Sequence, residues 1–156
     1  RGEVLLGTYL GLVFVSQTLT FYLLARLPGW RHRVVPLLSL QGPMILVLAV
    51  LPFLRQPGAI LATAPLVGLG LGMAYFASLF YSVEAPVGRG RNAGVHEAVL
   101  TLGAVALPFL AGLAVETTDR LESAYMFSAA AGGVGLVAQG LLLRGRTGMN
   151  HRALGY

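Results

Sequence analysis

Residues 60–83, ILATAPLVGLGLGMAYFASLFYSV, form an apolar stretch that contains no charged side chain. About 20 apolar residues in a helix are enough to cross the hydrocarbon core of a bilayer, which is about 30 Å thick. This stretch is therefore long enough to span a membrane. Four others share its character, and the five predicted spans cover residues 4–27, 34–54, 60–83, 93–115 and 124–143. The sequence predicts an all-α fold, a polytopic transmembrane helical bundle.

The composition also favours a membrane protein and excludes several other classes. Hydrophobic residues make up 56% of the chain, charged residues 11%, and the mean hydropathy is +0.74. Soluble domains carry about 25% charged residues, so this chain has too little polar surface to fold in water. Cysteine is absent, which excludes disulfides and thiolate metal sites within these residues. No polar linker divides the chain, and we expect one transmembrane domain at 1–143 and a cytoplasmic tail at 144–156.

The arginines predict the orientation of the bundle. All 11 basic residues are arginine, which is typical of a GC-rich bacterial genome and favours the bacterial cytoplasmic (inner) membrane. Eight of them lie at residues 26–33, 89–91 and 144–152, and the remaining three are Arg1, Arg55 and Arg120. Because cytoplasmic loops of membrane proteins are enriched in arginine, we expect a cytoplasmic C-terminus and an N-terminus outside.

The same basic loops bear on two further expectations. Trp30 follows the first span, where an indole is expected at the level of the lipid headgroups. The net charge of +5 could also indicate a nucleic-acid partner. The arginines, however, form short clusters beside the apolar spans, with no aromatic-basic surface between them. Nucleic acid is therefore not an expected partner.

Glycines within the spans predict close packing between helices. Gly68 and Gly72 are four residues apart in the third span, a spacing that removes side chains from one face and lets a neighbouring helix approach. The same role is predicted for Gly103, Gly112 and Gly132 in the fourth and fifth spans. A phosphate-binding loop is not expected, because no strand precedes these glycines and no lysine follows them.

Glu97 is the only acidic residue inside a predicted span. A charged side chain in the middle of a bilayer costs about 2.5–3.5 kcal/mol or more, and such residues commonly mark ion or substrate pathways. Proton coupling by Glu97 is therefore one hypothesis, with His96 as a second candidate because histidine changes charge near neutral pH. In the alternative, His96 is an interfacial residue and Glu97, close to the cytoplasmic helix end, pairs with Arg33, Arg89 or Arg91.

Uncharged polar residues are weaker candidates for a solute path or its gate. Gln17 and Gln41 lie near the centres of the first two spans, and Tyr75 lies in the third. Thr101 shares a helical face with Glu97, four residues away. Such groups also form hydrogen bonds between membrane helices, and this use is the more frequent one.

The sequence contains no pattern that is typical of a soluble enzyme. There is no HExxH or CxxC motif and no Ser-His-Asp order in suitable loops. The three histidines show no metal-ligand spacing. We therefore expect no enzymatic activity, no metal and no cofactor.

Three consecutive segments resemble the tenth and eleventh helices of bacterial major facilitator superfamily transporters. They are GLGLGMAYFASLFYS at 68–82, the arginine loop GRGRNAGVHEA at 88–98, and VLTLGAVALPFLAGL at 99–113. In addition, ARLPGWRHR at 25–33 lies where the family's second basic cytoplasmic loop joins its eighth and ninth helices. This loop lacks the aspartate of the family pattern Gly-x-x-x-Asp-Arg-x-Gly-Arg-Arg. The resemblance covers nearly the whole chain.

The resemblance implies that the five spans are the eighth to twelfth helices, most of the C-terminal half of a secondary transporter. Such a protein moves a small solute by rocking two halves about a central site, often with proton coupling. The chain begins with Arg1 rather than methionine, and we expect it to be part of a longer polypeptide.

Five helices cannot form both walls of a central cavity, so further partners are expected besides the lipid bilayer. These are the missing N-terminal half, a second copy of the chain, or other membrane subunits. The alternative function is a non-transporting subunit derived from the same fold, which acts as a helical scaffold in a larger membrane complex.

Overall fold

Five long helices make up most of the fold. The computed structural model describes residues 2–84 and 87–153, with side chains as far as residue 142. No strand occurs in this part of the chain, and the long helices are α1 (Gly2–Arg26), α2 (Val34–Val50), α3 (Pro57–Val83), α4 (Arg89–Thr118) and α5 (Glu122–Ala153). All five are long and apolar enough to cross a membrane. The prediction of an all-α fold with five spans is confirmed.

The helix boundaries differ from the predicted spans mainly in α4 and α5. Helix α4 begins at Arg89, before the predicted start at residue 93, and so includes arginines of the preceding loop. Helix α5 continues through Ala153, so helix extends into the predicted tail. An apolar stretch marks the part of a helix that lies in hydrocarbon, and a helix can continue beyond it into water. Residue 1 and residues 154–156, which the predicted domain and tail include, lie outside the described residues.

A left-handed glycine directs the chain from α3 into α4. Gly88 has a φ of 74°, a conformation that glycine adopts without steric cost. The amide of Asn92 donates to the carbonyl oxygen of Gly88 at 2.9 Å and closes the first turn of α4. The connection is short, and α4 packs against α3.

Helix α3 lies at the centre of the bundle. It packs against α1, α2 and α4, while α5 packs against both α2 and α4. Helix α3 also carries more buried residues than α1 or α2, whereas α4 carries none. Helices α1, α2 and α3 therefore form a tightly packed unit. Helix α4 leaves most of its surface uncovered.

Glycines of α3 set its distance from α1 and α2. A methyl group in place of the Gly72 hydrogen would lie 2.7 Å from the Cβ of Thr20 in α1, and one at Gly68 would overlap a backbone carbonyl of α1. On another side, Gly70 lies against the Cβ of Met44 in α2. Backbone atoms and Cβ atoms cannot turn away from an added methyl group, so only glycine allows helices to approach this closely.

Because successive spans alternate in direction, every second loop is expected at the same end of the bundle. His32 Nε2 lies 2.9 Å from Glu84 Oε1, so the first loop and the end of α3 lie at the same end. At the opposite end, Phe53 and Leu121 line one surface cavity. The basic clusters at 26–33 and 89–91 thus lie at one end of the bundle, as a shared side of the membrane requires.

Trp30 ties the first loop to α3. The residue is only 4% exposed, and its Nε1–H donates to the carbonyl oxygen of Leu24 at 2.9 Å. The rings of Phe76 and Phe80 meet the indole edge-on, with centroid distances of 5.8 and 5.1 Å. The polar and apolar parts of the indole are therefore both satisfied by the protein. The level of Trp30 relative to the lipid headgroups stays a prediction.

Candidate functional site

A polar cluster joins α3 to α4 within the apolar part of the bundle. Tyr75 donates its hydroxyl proton to Glu97 Oε1 at 3.2 Å, and Ser78 Oγ lies 2.8 Å from His96 Nε2. The rings of Tyr75 and His96 meet edge-on, with centroids 5.9 Å apart. Two neighbouring residues of α4 therefore each meet a polar partner on α3. We call these four residues the polar cluster.

Helical periodicity explains why α3 supplies both partners. Tyr75 and Ser78 are three residues apart, so they lie on one face of α3. His96 and Glu97 are consecutive on α4 and point in different directions, which lets one contact Ser78 while the other reaches Tyr75. The ring centroids of Phe21 and Tyr75 are 5.7 Å apart, so α1 also contacts this tyrosine.

Glu97 lies deeper in its helix than the sequence indicates. Because α4 begins at Arg89, Glu97 is eight residues from the helix start, a rise of about 12 Å. Its contacts are with Tyr75 and His96.

The two titratable residues of the cluster differ in exposure. The side chain of His96 is 8% exposed, whereas that of Glu97 is 54% exposed. His96 Nδ1 lies 3.4 Å from Glu97 Oε1. This separation is within the range of an ion pair, but Nδ1 is buried and has no hydrogen-bond partner among the described residues.

The arrangement suits the binding and release of a proton. A carboxylate and an imidazole both exchange protons readily, and Glu97 is open to the outside of this chain while His96 is enclosed. No group of three or more metal-ligating side chains occurs in the described part of the chain. The donor set of the polar cluster, one carboxylate and one imidazole, is also small for a metal centre.

A second polar contact joins α2 to α5. Gln41 is 4% exposed, and its Nε2 donates to Gln139 Oε1 at 3.1 Å. Both side chains are amides, so each can donate and accept. Gln41, a predicted path residue, thus bridges two helices in this structure.

We predict that Gln41→Leu lowers the free energy of unfolding by about 0.6–1.7 kcal/mol, the usual range for hydrogen bonds between membrane helices. The substitution leaves the Gln139 amide without its partner. Denaturation in mixed detergent micelles measures the change. Gln139→Leu and the double variant complete a double-mutant cycle. Losses that simply add would contradict a direct interaction.

The remaining polar candidates lie apart from the cluster. The backbone of Gln17 lies close to Gly68 and Gly72, and its side chain makes no hydrogen bond within the described part of the chain. Thr101 is exposed on α4, one turn beyond Glu97. The structure therefore brings Tyr75, Glu97 and His96 together and leaves Gln17, Gln41 and Thr101 elsewhere.

The five glycines predicted to pack helices fall into two groups. Gly68 and Gly72 lie against α1, and a methyl group at Gly132 of α5 would lie 3.2 Å from Ile45 of α2. Gly103 and Gly112 of α4 have no neighbouring atoms within 4 Å of an added methyl group, among the described residues. Only the first group makes contacts within this chain.

Two residues of these contacts were not among the sequence candidates. Gln139 is the only amide side chain of the fifth span, and that signal could have paired it with Gln41. Nothing in the sequence distinguishes Phe21, since aromatic residues are common in apolar spans. Ser78 belongs to a polar group on α3 that also includes Tyr75 and Ser82, but the sequence does not show that it faces His96.

The five helices define the class of protein to which this chain belongs. Five apolar helices of membrane-spanning length make this chain an all-helical, multi-pass membrane protein. No model of a protein family, no curated protein and no solved structure matches it.

Proposed function

We propose that this chain is the C-terminal part of a secondary transporter of the major facilitator type. In this proposal the complete transporter moves a small solute across the bacterial cytoplasmic membrane and couples that movement to protons. The observation that supports this most directly is the contact of Tyr75 with Glu97 and of Ser78 with His96. Ionisable groups inside a membrane helix are costly and usually serve an ion or substrate pathway.

The resemblance of residues 68–82, 88–98 and 99–113 to two helices of that superfamily adds a second line of support. These helices correspond to α3 and α4, and the polar cluster lies between them. In this proposal Tyr75 and Glu97 lie at the solute path or its gate, and Glu97 and His96 carry the coupling proton.

The exposure of α4 supports the proposal that a further part of the transporter covers it. Helix α4 has no buried residue, and its exposed apolar side chains include Val99, Leu102 and Phe109. Glu97 lies on the same helix and is 54% exposed. Alternating access needs a second wall around the site. We propose that the N-terminal half of the same polypeptide supplies this wall.

The second candidate is a non-transporting membrane subunit derived from the same fold. The uncovered surface of α4 also favours this function, since it offers a complete helix to a neighbouring subunit. In that case the polar cluster stabilises the contact between α3 and α4 and carries no proton across the membrane.

Two measurements separate the candidates. Denaturing mass spectrometry of the native polypeptide gives its length, and a mass of about 40 kDa or more is expected for a transporter with two halves. The purified native protein is then reconstituted in vesicles with an imposed pH gradient, and uptake of a panel of small solutes is measured. A native mass near that of this chain, 16.4 kDa, and no gradient-driven uptake would contradict the proposed function.

The proposed orientation makes a separate prediction. Because these residues contain no cysteine, single cysteines introduced here can be labelled selectively once any cysteines elsewhere in the polypeptide are replaced. Leu121→Cys, at an exposed position between α4 and α5, is expected to react with a membrane-impermeant maleimide on intact cells. Val87→Cys, in the basic loop and 83% exposed, is expected to react only after the membrane is opened. The reverse pattern would overturn the orientation.

A further inference from the structure

Ser78 lies within hydrogen-bond distance of both His96 and a carbonyl of its own helix. The hydroxyl of Ser78 donates to the carbonyl oxygen of Tyr75 at 2.9 Å and lies 2.8 Å from His96 Nε2. A serine hydroxyl has one proton to donate. When that proton is directed to the carbonyl of Tyr75, Ser78 Oγ is left to accept a hydrogen bond from His96 Nε2–H. A neutral His96 then carries its proton on Nε2.

The second ring nitrogen is left with a free lone pair. Nδ1 is buried and has no hydrogen-bond partner in the described part of the chain, and the imidazole as a whole is 8% exposed. Its nearest polar atom in the cluster is Glu97 Oε1 at 3.4 Å, which already accepts the hydroxyl proton of Tyr75. In this tautomer two acceptor atoms therefore lie 3.4 Å apart with no hydrogen bond between them. Buried polar atoms are rarely left in this state.

We propose that His96 Nδ1 and the Glu97 carboxylate together bind one proton, and that Ser78 is the positioning residue that keeps Nδ1 free to receive it. The proton adds to the lone pair of Nδ1, 3.4 Å from Glu97 Oε1, and forms an N–H bond there. The pair then consists of an imidazolium beside a carboxylate, and its net charge rises from −1 to 0. Release breaks the same N–H bond. This inference rests on the proposed function for the use of the proton, not for its binding.

The groups around the pair are consistent with a single shared proton. Among the side chains that the structure describes, the titratable groups that contact His96 are Tyr75 from α3 and Glu97 on α4 itself. Among the described residues, no hydrogen bond or ion pair joins His96 to α1, α2 or α5. Glu97 is 54% exposed, so its carboxylate gives a proton a route from outside this chain to the enclosed Nδ1.

Nitrogen NMR of the native polypeptide tests the inference. The protein is labelled with ¹⁵N-histidine, and His96→Gln identifies the signals of His96. We expect the neutral form to carry its proton on Nε2, with Nδ1 unprotonated, and acidification to protonate Nδ1. Ser78→Ala is expected to lose this preference, and Ser78→Thr, which keeps the hydroxyl, is expected to retain it. Ser128→Ala is the matched control, since Ser128 bonds only a carbonyl of its own helix α5.

Two results would overturn the inference. One is a neutral His96 that carries its proton on Nδ1 in the unsubstituted protein. The other is a tautomer that stays unchanged in a folded Ser78→Ala variant. The transport measurement is independent of both: a protein with the expected tautomer but no gradient-driven uptake contradicts the proposed function and leaves the proton site standing.

Discussion

Gly68→Ala is expected to lower the free energy of unfolding by about 2 kcal/mol. The added methyl group would overlap a backbone carbonyl of α1 and lie 2.7 Å from the Cβ of Ser16. Neither atom can rotate away, so α1 and α3 must separate along their contact. Overpacking costs about 1–3 kcal/mol and sometimes more. Alanine is the better helix former by about 1 kcal/mol, which offsets part of this cost.

The matched control is Gly11→Ala in α1. Gly11 belongs to the same helix pair, but an added methyl group at this position has no neighbour within 4 Å among the described residues. We expect no loss of stability here, and a gain of up to about 1 kcal/mol from helix propensity. Both variants are compared by SDS titration in mixed micelles. If Gly68→Ala proves as stable as Gly11→Ala, the close approach of α1 and α3 is wrong.

The sequence is sufficient to predict the helices of this protein and much of their packing. The bilayer imposes one requirement on each span, and residues 60–83 satisfy it by length and apolar character alone. The spacing of Gly68 and Gly72 predicts a close helix neighbour, and α1 lies against both residues. The spacing does not say which helix approaches, because any helix without a bulky side chain at the contact would satisfy it.

The contacts of the polar cluster are beyond prediction from periodicity. Tyr75 and Glu97 are 22 residues apart in the chain, and their meeting depends on the turn at Gly88 and on the rotation of α4 about its axis. The length and apolar character of a span determine neither this turn nor this rotation. The apolar stretch predicts a span from residue 93, whereas helix α4 begins earlier, at Arg89.

Helix α3 is closely packed whereas α4 is largely exposed, and this difference has a physical cause. In lipid there is no hydrophobic force between helices, so association depends on close packing and on hydrogen bonds. Helix α3 has glycines that meet both α1 and α2. Gly103 and Gly112 of α4 meet nothing in the described part of this chain, and the polar cluster contributes its hydrogen bonds to α3. Helix α4 is consequently the helix most available to a further part of the protein.

Glu97→Gln is expected to abolish the coupling of solute uptake to a proton gradient. The amide retains an oxygen that accepts the Tyr75 hydroxyl, so the contact between α3 and α4 is preserved, but it cannot bind or release a proton. Coupling between two ligands is typically about 1–3 kcal/mol, which corresponds to an effect of about 5- to 150-fold. We expect gradient-driven uptake to fall by a factor in this range, while exchange of solute without a gradient continues.

Glu116→Gln provides the control for this loss of coupling, because it makes the same chemical change near the other end of α4, where Glu116 is exposed. Its gradient-driven uptake should match that of the unsubstituted protein. Both variants are measured in vesicles at equal protein content, with and without the pH gradient. If Glu97→Gln loses exchange and gradient-driven uptake together, then Glu97 is required for the solute path or the fold, and its role as the coupling acid is contradicted. If Glu97→Gln still responds fully to the gradient, coupling does not need the Glu97 carboxylate, and the assignment of Glu97 as a carrier of the coupling proton is wrong.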